Sequence, residues 1–275
     1  MNRFNKIAII GLGLIGGSIA LAIKKKRLAK SVIGVSRHER TLNLAKKNRL
    51  IAQGSTDLAI IKDADLVILA APVEVILKLS RPIAKIIKAN TIVTDVGSAK
   101  EKIVAKLEKI FPNFIGGHPL AGSEKRGLVN ARGDIFLNSL CILTPTKRTS
   151  QEAKLKVARF WKELGAKVSN LSPDAHDKII SFTSCLPHLI AFSLINSVPK
   201  QCLKFAASGL KDTTRIAASE PGLWADIFLS NKNSLKSIQV FQTNLEQIKK
   251  AIQHKDGKSL KRALSVAKAK RDALK

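Results

Sequence analysis

"IAIIGLGLIGGSIALAI", residues 7–23, is a run of seventeen amino acids that carries no charge. A membrane-spanning helix needs about 17–25 apolar residues, so length alone permits a membrane span. The four glycines in the middle of the run argue against one, because each glycine destabilises a helix. A secretory signal is also a poor match, since the basic cluster at residues 24–27 follows the apolar run and no small-residue cleavage site comes after it. We therefore expect no membrane segment here.

The spacing of the glycines predicts a nucleotide site instead. Residues 7–10 have the composition of a short buried strand, and residues 15–26 that of a helix. Between them stands the pattern G-x-G-x-x-G, whose glycines allow a tight turn, a close approach of pyrophosphate to the backbone, and close packing of helix on strand. The phosphates of a dinucleotide then lie at the helix N-terminus. We expect Gly11, Gly13, Leu14, Ile15 and Gly16 to bind the cofactor.

Strand-like and helix-like segments alternate through the first 172 residues, which predicts a mainly parallel sheet. The predicted strands are 7–10, 31–36, 65–71, 91–96, 114–117, 140–144 and 166–171, and the predicted helices are 15–26, 40–47, 73–88 (broken or kinked at Pro82), 100–109 and 151–164. The fold class is α/β, with a Rossmann-type domain over residues 1–172 and an all-helical domain over residues 173–275.

The apolar helices in the second half of the chain bear on its oligomeric state. Its helices are expected at 174–198, 223–252 and 258–274. Residues 179–195 are apolar around most of the helix circumference, so they should be buried on several sides. One small domain cannot cover such a helix, which predicts a homodimer formed through this substrate-binding and dimerisation domain.

Composition narrows the class of protein further. Hydrophobic residues make up 45% of the chain and charged residues 25%, which is typical of a soluble globular protein. The formal net charge is +28, yet aromatic residues are only 4% and nowhere alternate with basic ones as in single-strand binders. The lysines are spread over nearly every predicted helix, so we expect no nucleic-acid partner. Such a field would still attract an anionic small-molecule substrate.

Cysteine and histidine usage predicts a cytoplasmic protein without a metal. The three cysteines, Cys141, Cys185 and Cys202, form no C-x-x-C pair and are odd in number, which argues against a disulfide framework and a thiolate metal site. None of the five histidines stands four residues from another on a predicted helix.

The end of the second predicted strand bears on the choice of cofactor. NAD-binding folds usually place Asp or Glu here to accept a hydrogen bond from the ribose hydroxyl. This chain has Ser36 and Arg37 instead, with His38 and Arg40 close by. A hydroxyl and guanidinium groups favour a 2′-phosphate, so NADP is the expected cofactor and NAD the less favoured one.

Three further strand ends are predicted to line the reaction site. They are "LAAPVE" at 69–74, where Ala71 and Pro72 should contact the cofactor, "TDVGSAK" at 94–100, and "IGGHPLAGSE" at 115–124. His118 follows two glycines at a strand end, where a neutral imidazole could take a proton from a substrate hydroxyl while hydride leaves the same carbon. Ser98 could hydrogen-bond that hydroxyl or the imidazole.

Several motifs together resemble the prephenate and arogenate dehydrogenases of tyrosine biosynthesis. They are "GLGLIGGS", "TDVGSAK", "GGHPLAGSE", "ILTPT", "HDKIISFTSCLPHLIAFSL" and "ASGLKDTTRIAASEPGLWADIFLSNK", and they extend over almost the whole chain. The resemblance implies that His118 is the catalytic histidine and Ser98 its partner. It further implies that Arg215 grips a substrate carboxylate, and that His188, Asp212 and Trp224 lie in or around the substrate pocket.

That resemblance implies an oxidative decarboxylation of prephenate, arogenate or both, which requires no metal. Because the sequence ends soon after the predicted helical domain, we expect neither a mutase nor a regulatory domain. The "VSR" end of strand two resembles the NADP-preferring, arogenate-type branch, whereas His188 resembles members that accept prephenate. Cys185 departs from the family, which often carries histidine there. Two alternatives stay open: another NADP-dependent reductase or dehydrogenase of the same two-domain plan, and a non-catalytic protein that binds NADP or nucleic acid.

Overall fold

A computed structural model describes residues 4–274 of the chain. Its strands form one eight-stranded sheet in the order β3-β2-β1-β4-β5-β6-β7-β8. Neighbouring strands are parallel except β6 and β7, which are antiparallel. The strands are β1 (Phe4–Ile10), β2 (Ala29–Val35), β3 (Gln53–Ser55), β4 (Leu66–Leu69), β5 (Ile92–Asp95), β6 (Phe114–Pro119), β7 (Leu140–Thr144) and β8 (Lys167–Asn170). The predicted Rossmann-type, mainly parallel sheet is confirmed, and only the short β3 was missed.

Helices connect most of the strands, and the elements after β8 are all helical. The α-helices are α1 (Leu14–Lys26), α2 (Glu39–Lys47), α3 (Val73–Ala84), α4 (Glu101–Leu107), α5 (Gln151–Leu164), α6 (Pro173–Ile180), α7 (Leu186–Ser197), α8 (Ser208–Thr214), α9 (Pro221–Ser230), α10 (Ser234–Gln253) and α11 (Gly257–Asp272). Short 3₁₀ turns cover Leu58–Ile61, Leu128–Asn130, Lys200–Phe205 and Arg215–Ala218. A single π-helical turn, Ser181–Cys185, joins α6 to α7.

The sheet is buried on both faces because its central strands carry apolar side chains at consecutive positions, as at residues 7–10 of β1 and 66–69 of β4. In β1, Ile7 and Ile9 belong to one buried cluster, while Ala8 and Ile10 belong to another on the opposite face. This follows from the two-residue repeat of a strand, which points successive side chains to opposite sides. Helices therefore cover both faces, as in other doubly wound parallel sheets.

The helical half differs from the prediction in where its helices end. Residues 173–197 are helical, one residue short of the predicted end at 198, and the π turn interrupts the α-helix. The predicted helix 223–252 is two helices, because Asn231 leaves helical geometry after α9 and its side-chain amide donates to the backbone carbonyl of Asp177. Helix α3 ends at Ala84, two residues after Pro82, and not at residue 88.

The run Pro173–Ser197 is long and apolar enough to cross a membrane by length and composition, although core helices of soluble proteins meet the same criterion. Only a minority of its side chains are buried, Ile180, Cys185 and Ala191 among the apolar ones. The expectation that residues 179–195 are buried on several sides is therefore not met within the described chain.

Close packing divides the chain into two compact units, one ending at Asn231 and one beginning at Lys232. The first contains the whole sheet and helices α1 to α9. The second consists of α10 and α11, which pack on each other, and Asp256 caps α11 by accepting from the amide of Ser259. The predicted boundary near residue 172 marks the change from strands to helices, and as a domain boundary it stays a prediction.

Candidate active site

A cavity of about 810 Å³ opens at the carboxyl ends of β1, β4, β5 and β6, within the first compact unit. This is the edge where open α/β sheets bind their ligands. One side is formed by the glycine turn and the segment after β4, and the other by β6, α6, the π turn, α7 and α9. The predicted residues that line it are Gly13, Leu14, Ile15, Ala71, Pro72, Ser98, His118, His188, Arg215 and Trp224.

The glycine turn has the shape that a pyrophosphate requires. Gly11 has φ +99°, and a Cβ there would lie 2.1 Å from the carbonyl oxygen of Ala70. A Cβ on Gly16 would lie 1.9 Å from the carbonyl oxygen of Gly11, so helix and strand are packed as closely as they can be. A Cβ on Gly13 would meet no atom within 4 Å. The turn is therefore closely packed at Gly11 and Gly16 and open at Gly13. Helix α1 begins directly after Gly13, and no side chain caps its N-terminus.

The residues predicted to choose the cofactor lie at the end of β2, outside the lining of the cavity. Ser36 is half-buried, and its hydroxyl accepts from the amide of His38. Arg37 and Arg40 are exposed, and neither forms an ion pair or a side-chain hydrogen bond with another residue in the described part of the chain. These two guanidinium groups are therefore free to bind an anion.

His118 lies in β6 and is 8% exposed. Its Nδ1 is 2.8 Å from Nε2 of His176, and Nδ1 of His176 is 2.7 Å from Oδ1 of Asp177. Ser98 lines the same cavity but does not hydrogen-bond the His118 ring, whose Nδ1 is occupied by His176. Between residues 4 and 274, no group of three or more His, Cys, Asp or Glu side chains is arranged to hold a metal ion.

A buried ion pair lies behind the imidazole. Lys100 and Asp95 are fully buried and bonded to each other, and Lys100 Nζ also donates to the carbonyl of Gly117 at 2.8 Å. Burial holds the pKa of His118 well below 6.5, and the neighbouring His176 and the Lys100 ammonium act in the same direction. His118 is therefore neutral at neutral pH and able to accept a proton.

Charged residues surround the mouth of the cavity. Arg215 Nη1 is 3.4 Å from Oε2 of Glu124, and Arg126 pairs with Glu220. All four line the cavity, and the Arg215 side chain is 64% exposed. An exposed pair at this distance contributes little to stability, so an incoming carboxylate can displace Glu124 from Arg215.

His188 lies flat against Trp224, with ring centroids 3.5 Å apart and an interplanar angle of 22°. Its Nδ1 is 2.9 Å from the carbonyl oxygen of Ser184, which can only accept, so Nδ1 carries the proton. Burial lowers the pKa of His188, and Arg215 lowers it further, while the bond to Ser184 opposes them. The neutral ring keeps Nε2 as an acceptor.

Asp212 is the one predicted substrate residue outside the lining of the cavity. It is exposed and lies inside α8. The structure also adds residues to which the sequence assigned no role, chiefly His176, Asp177 and Lys100. The signal for them was the adjacent imidazole and carboxylate in "AHDK" and the lysine that ends "TDVGSAK".

Comparisons with known proteins agree with this geometry. The family model for the prephenate dehydrogenase nucleotide-binding domain matches residues 19–170, and that for the prephenate dehydrogenase dimerization domain matches residues 172–266. A prephenate dehydrogenase of Bacillus subtilis (strain 168) is 36% identical over 287 residues, covering 100% of this chain and 77% of the relative. A cyclohexadienyl dehydrogenase of Zymomonas mobilis is 34% identical over 286 residues, covering 100% and 98% of the two chains.

A solved structure shares the fold at similar identity. The crystal structure of prephenate dehydrogenase from A. aeolicus in complex with hydroxyphenyl propionate and NAD+ has a TM-score of 0.94 and 33% identity, covering 98% of each chain. The two family models together span both halves of the sequence. The chain belongs to the prephenate dehydrogenase family.

Proposed function

We propose that this chain oxidises and decarboxylates prephenate, arogenate or both at the cavity that His118 lines, with NADP as hydride acceptor. As a member of its family the chain is an oxidoreductase of L-tyrosine biosynthesis that uses a nicotinamide cofactor. The observation that carries the proposal is the buried, neutral His118 in the same cavity as the open glycine turn.

The chemistry asks little of the protein beyond positioning. When bound, the nicotinamide supplies the acceptor for the hydride that leaves C4 of the cyclohexadienol ring. His118 takes the proton of the C4 hydroxyl, so that the carbon becomes a carbonyl carbon. The C1 carboxylate then leaves as CO₂, and its bonding electrons pass through the ring to the C4 oxygen, which takes the proton back from His118 as the aromatic phenol forms. Ser98 lines the same cavity, and we infer that it hydrogen-bonds the same oxygen.

Arg215 supports the binding of an acidic substrate. Its guanidinium has five donors in one plane, which suits the two oxygens of a carboxylate. The pairing with Glu124 shows that a carboxylate reaches it in this structure. We infer that the substrate replaces Glu124 there, which orients the ring toward His118.

The residues after β2 support NADP over NAD. A carboxylate at residue 36 or 37 would repel a 2′-phosphate, and this chain has a hydroxyl and a guanidinium at those positions. Arg37 and Arg40 have no competing partner among residues 4–274. The A. aeolicus structure contains NAD+, so both cofactors belong in the test.

We also infer a cytoplasmic homodimer. The second half of the chain matches a dimerization domain, and the apolar side chains of Ile179 and Phe182 are 44% and 41% exposed. A second copy of the chain would cover such residues. The free cysteines favour a reducing compartment.

The test is formation of reduced cofactor by the purified chain, followed by absorbance, with prephenate and arogenate each offered with NADP and with NAD. Turnover with NADP supports the proposal, and the better substrate decides between the two. Turnover only with NAD would overturn the cofactor assignment. No turnover with any of the four pairs, from folded protein that still binds cofactor, would favour a non-catalytic binding protein.

A further inference from the structure

Two buried residues next to His118 have no part in the function proposed above. His176 and Asp177 are adjacent on α6 and are 0% and 1% exposed. The rings of His118 and His176 meet edge to face, with centroids 5.0 Å apart. Side-chain hydrogen bonds join His118 to His176 and His176 to the carboxylate of Asp177.

The direction of these hydrogen bonds follows from the carboxylate. Oδ1 of Asp177 accepts from the amide of Lys100 at 2.7 Å, and Oδ2 accepts from the amide of Glu101 at 3.0 Å. Two backbone donors stabilise the ionised carboxylate, which has no proton to give. Nδ1 of His176 must therefore be the donor to Asp177.

The proton on His118 is then determined as well. Burial lowers the pKa of His176, and Lys100 lowers it further, while Asp177 and Asp95 oppose the change. A neutral His176 that donates from Nδ1 has an unprotonated Nε2, which must accept from Nδ1 of His118. A neutral His118 then has no proton on Nε2, the ring nitrogen left to face a substrate.

We propose that His176 and Asp177 are positioning residues that hold His118 in the tautomer whose Nε2 accepts the substrate proton. Asp177 also holds the loop of Ser98, because the two amides that donate to it belong to residues 100 and 101, which follow Ser98 closely. One carboxylate thus orients both groups that face the substrate hydroxyl. The statement that His118 accepts the substrate proton rests on the proposed function. The statement that His118 carries its own proton on Nδ1 does not.

The first test measures the tautomer without any substrate. In ¹⁵N-histidine-labelled protein, long-range proton–nitrogen correlation spectra separate protonated from unprotonated ring nitrogens. We expect His118 to carry its proton on Nδ1 and His176 to carry its proton on Nδ1. The exposed His254, which is no part of the cavity, is removed as His254→Gln to assign its signals and serves as the control. Protonation of His118 on Nε2 would overturn the proposal.

The second test compares two substitutions of His176. His176→Leu removes the acceptor for His118 Nδ1, whereas His176→Gln can replace it with an amide oxygen. We expect His176→Leu to lower kcat about 100-fold, with substrate KM and cofactor affinity changed less than about threefold, because the wrong tautomer disables a base without displacing it. His176→Gln should recover at least about tenfold of that loss.

The outcomes separate this inference from the proposed function. A His176→Leu variant with wild-type kcat and an unchanged His118 tautomer would overturn the inference. If His176→Leu fails to fold, a His176→Gln protein whose His118 carries its proton on Nε2 would overturn it equally. If the wild type turns over no substrate, the proposed function fails, and the spectra of the wild type still decide the tautomer.

Discussion

At the scale of single residues, His118 depends on its surroundings more than on its own chemistry. An imidazole in water is half protonated near pH 6.5, and a protonated ring accepts no proton. Burial in β6, with His176 and the Lys100 ammonium nearby, keeps the ring neutral. The proposed role of His118 as a base therefore depends on where the sheet holds it.

This predicts the pH dependence of the reaction. Since the pKa of His118 lies well below 6.5, kcat/KM should stay flat as pH falls through 6.5 and should decrease only at lower pH. The measurement is kcat/KM for the better substrate from pH 4.5 to pH 8. Circular dichroism at each pH serves as the control, because burial of a neutral histidine also makes unfolding easier in acid. A midpoint at or above pH 6.5 would contradict the assigned burial.

His188 predicts a second, separate effect of pH. The neutral ring offers Nε2 as an acceptor, which suits the ammonium group of arogenate, whereas a protonated ring would suit the keto acid of prephenate. Because the pKa of His188 is lowered, the ratio of kcat/KM for arogenate over prephenate should fall only below pH 6.5. His188→Asn, which cannot titrate, is the matched control and should show a constant ratio. A wild-type ratio that does not change down to pH 5 would count against this role.

The sequence could predict most of the substrate residues that meet in the cavity, with Asp212 as the exception, but not how they are bonded. His118, Ser98, Arg215, His188 and Trp224 follow from strand ends and family motifs. The bond from His118 to His176 could not be predicted, because it joins residues 58 positions apart and depends on the packing of α6 against the sheet edge.

At the scale of elements, two glycines of the same turn are expected to have different roles: Gly11 in the fold and Gly13 in cofactor binding. Gly11→Ala forces a side chain into φ +99° and against the carbonyl of Ala70, and should destabilise the fold by roughly 3 kcal/mol or more. Gly13→Ala meets no atom within 4 Å and should cost at most about 1 kcal/mol. Its methyl group should still raise the cofactor Kd about tenfold or more, because it occupies the space of the pyrophosphate.

Thermal unfolding and cofactor titration of both variants test this assignment. The expected pattern is a much larger drop in Tm for Gly11→Ala than for Gly13→Ala, and weaker cofactor binding by a folded Gly13→Ala protein. A Gly13→Ala variant that binds cofactor as tightly as the wild type would show that the phosphates lie elsewhere.

Element boundaries show what periodicity can and cannot predict. The central strands were found because short apolar runs, such as residues 7–10 and 66–69, indicate buried parallel strands. The π turn Ser181–Cys185 was not, since one inserted residue leaves the apolar pattern of residues 174–198 unbroken. That turn supplies Thr183 and Ser184 to the cavity, so the irregularity missed by the pattern is next to the chemistry.

At the scale of the whole molecule, the exposed apolar side chains of the α6–α7 run, such as Ile179 and Phe182, predict that two copies of the chain form a dimer. Sedimentation equilibrium should give a mass twice the 29.8 kDa of one chain at micromolar concentration. Phe182→Glu, which places a charge among the exposed apolar residues of the α6–α7 run, should weaken the dimer. Lys178→Glu, four residues earlier and also exposed, is the control for the added charge. A wild-type monomer at these concentrations would contradict the dimer.

The most direct test of the account compares wild type with His118→Asn for three products of one turnover. Asparagine keeps a polar side chain but cannot take the proton, so both proteins should bind cofactor and substrate with similar affinity. The wild type should release CO₂, reduced cofactor and aromatic product in equal amounts, and His118→Asn should make all three at least about 100-fold more slowly. Equal rates for the two proteins would contradict the assignment of His118 as the base.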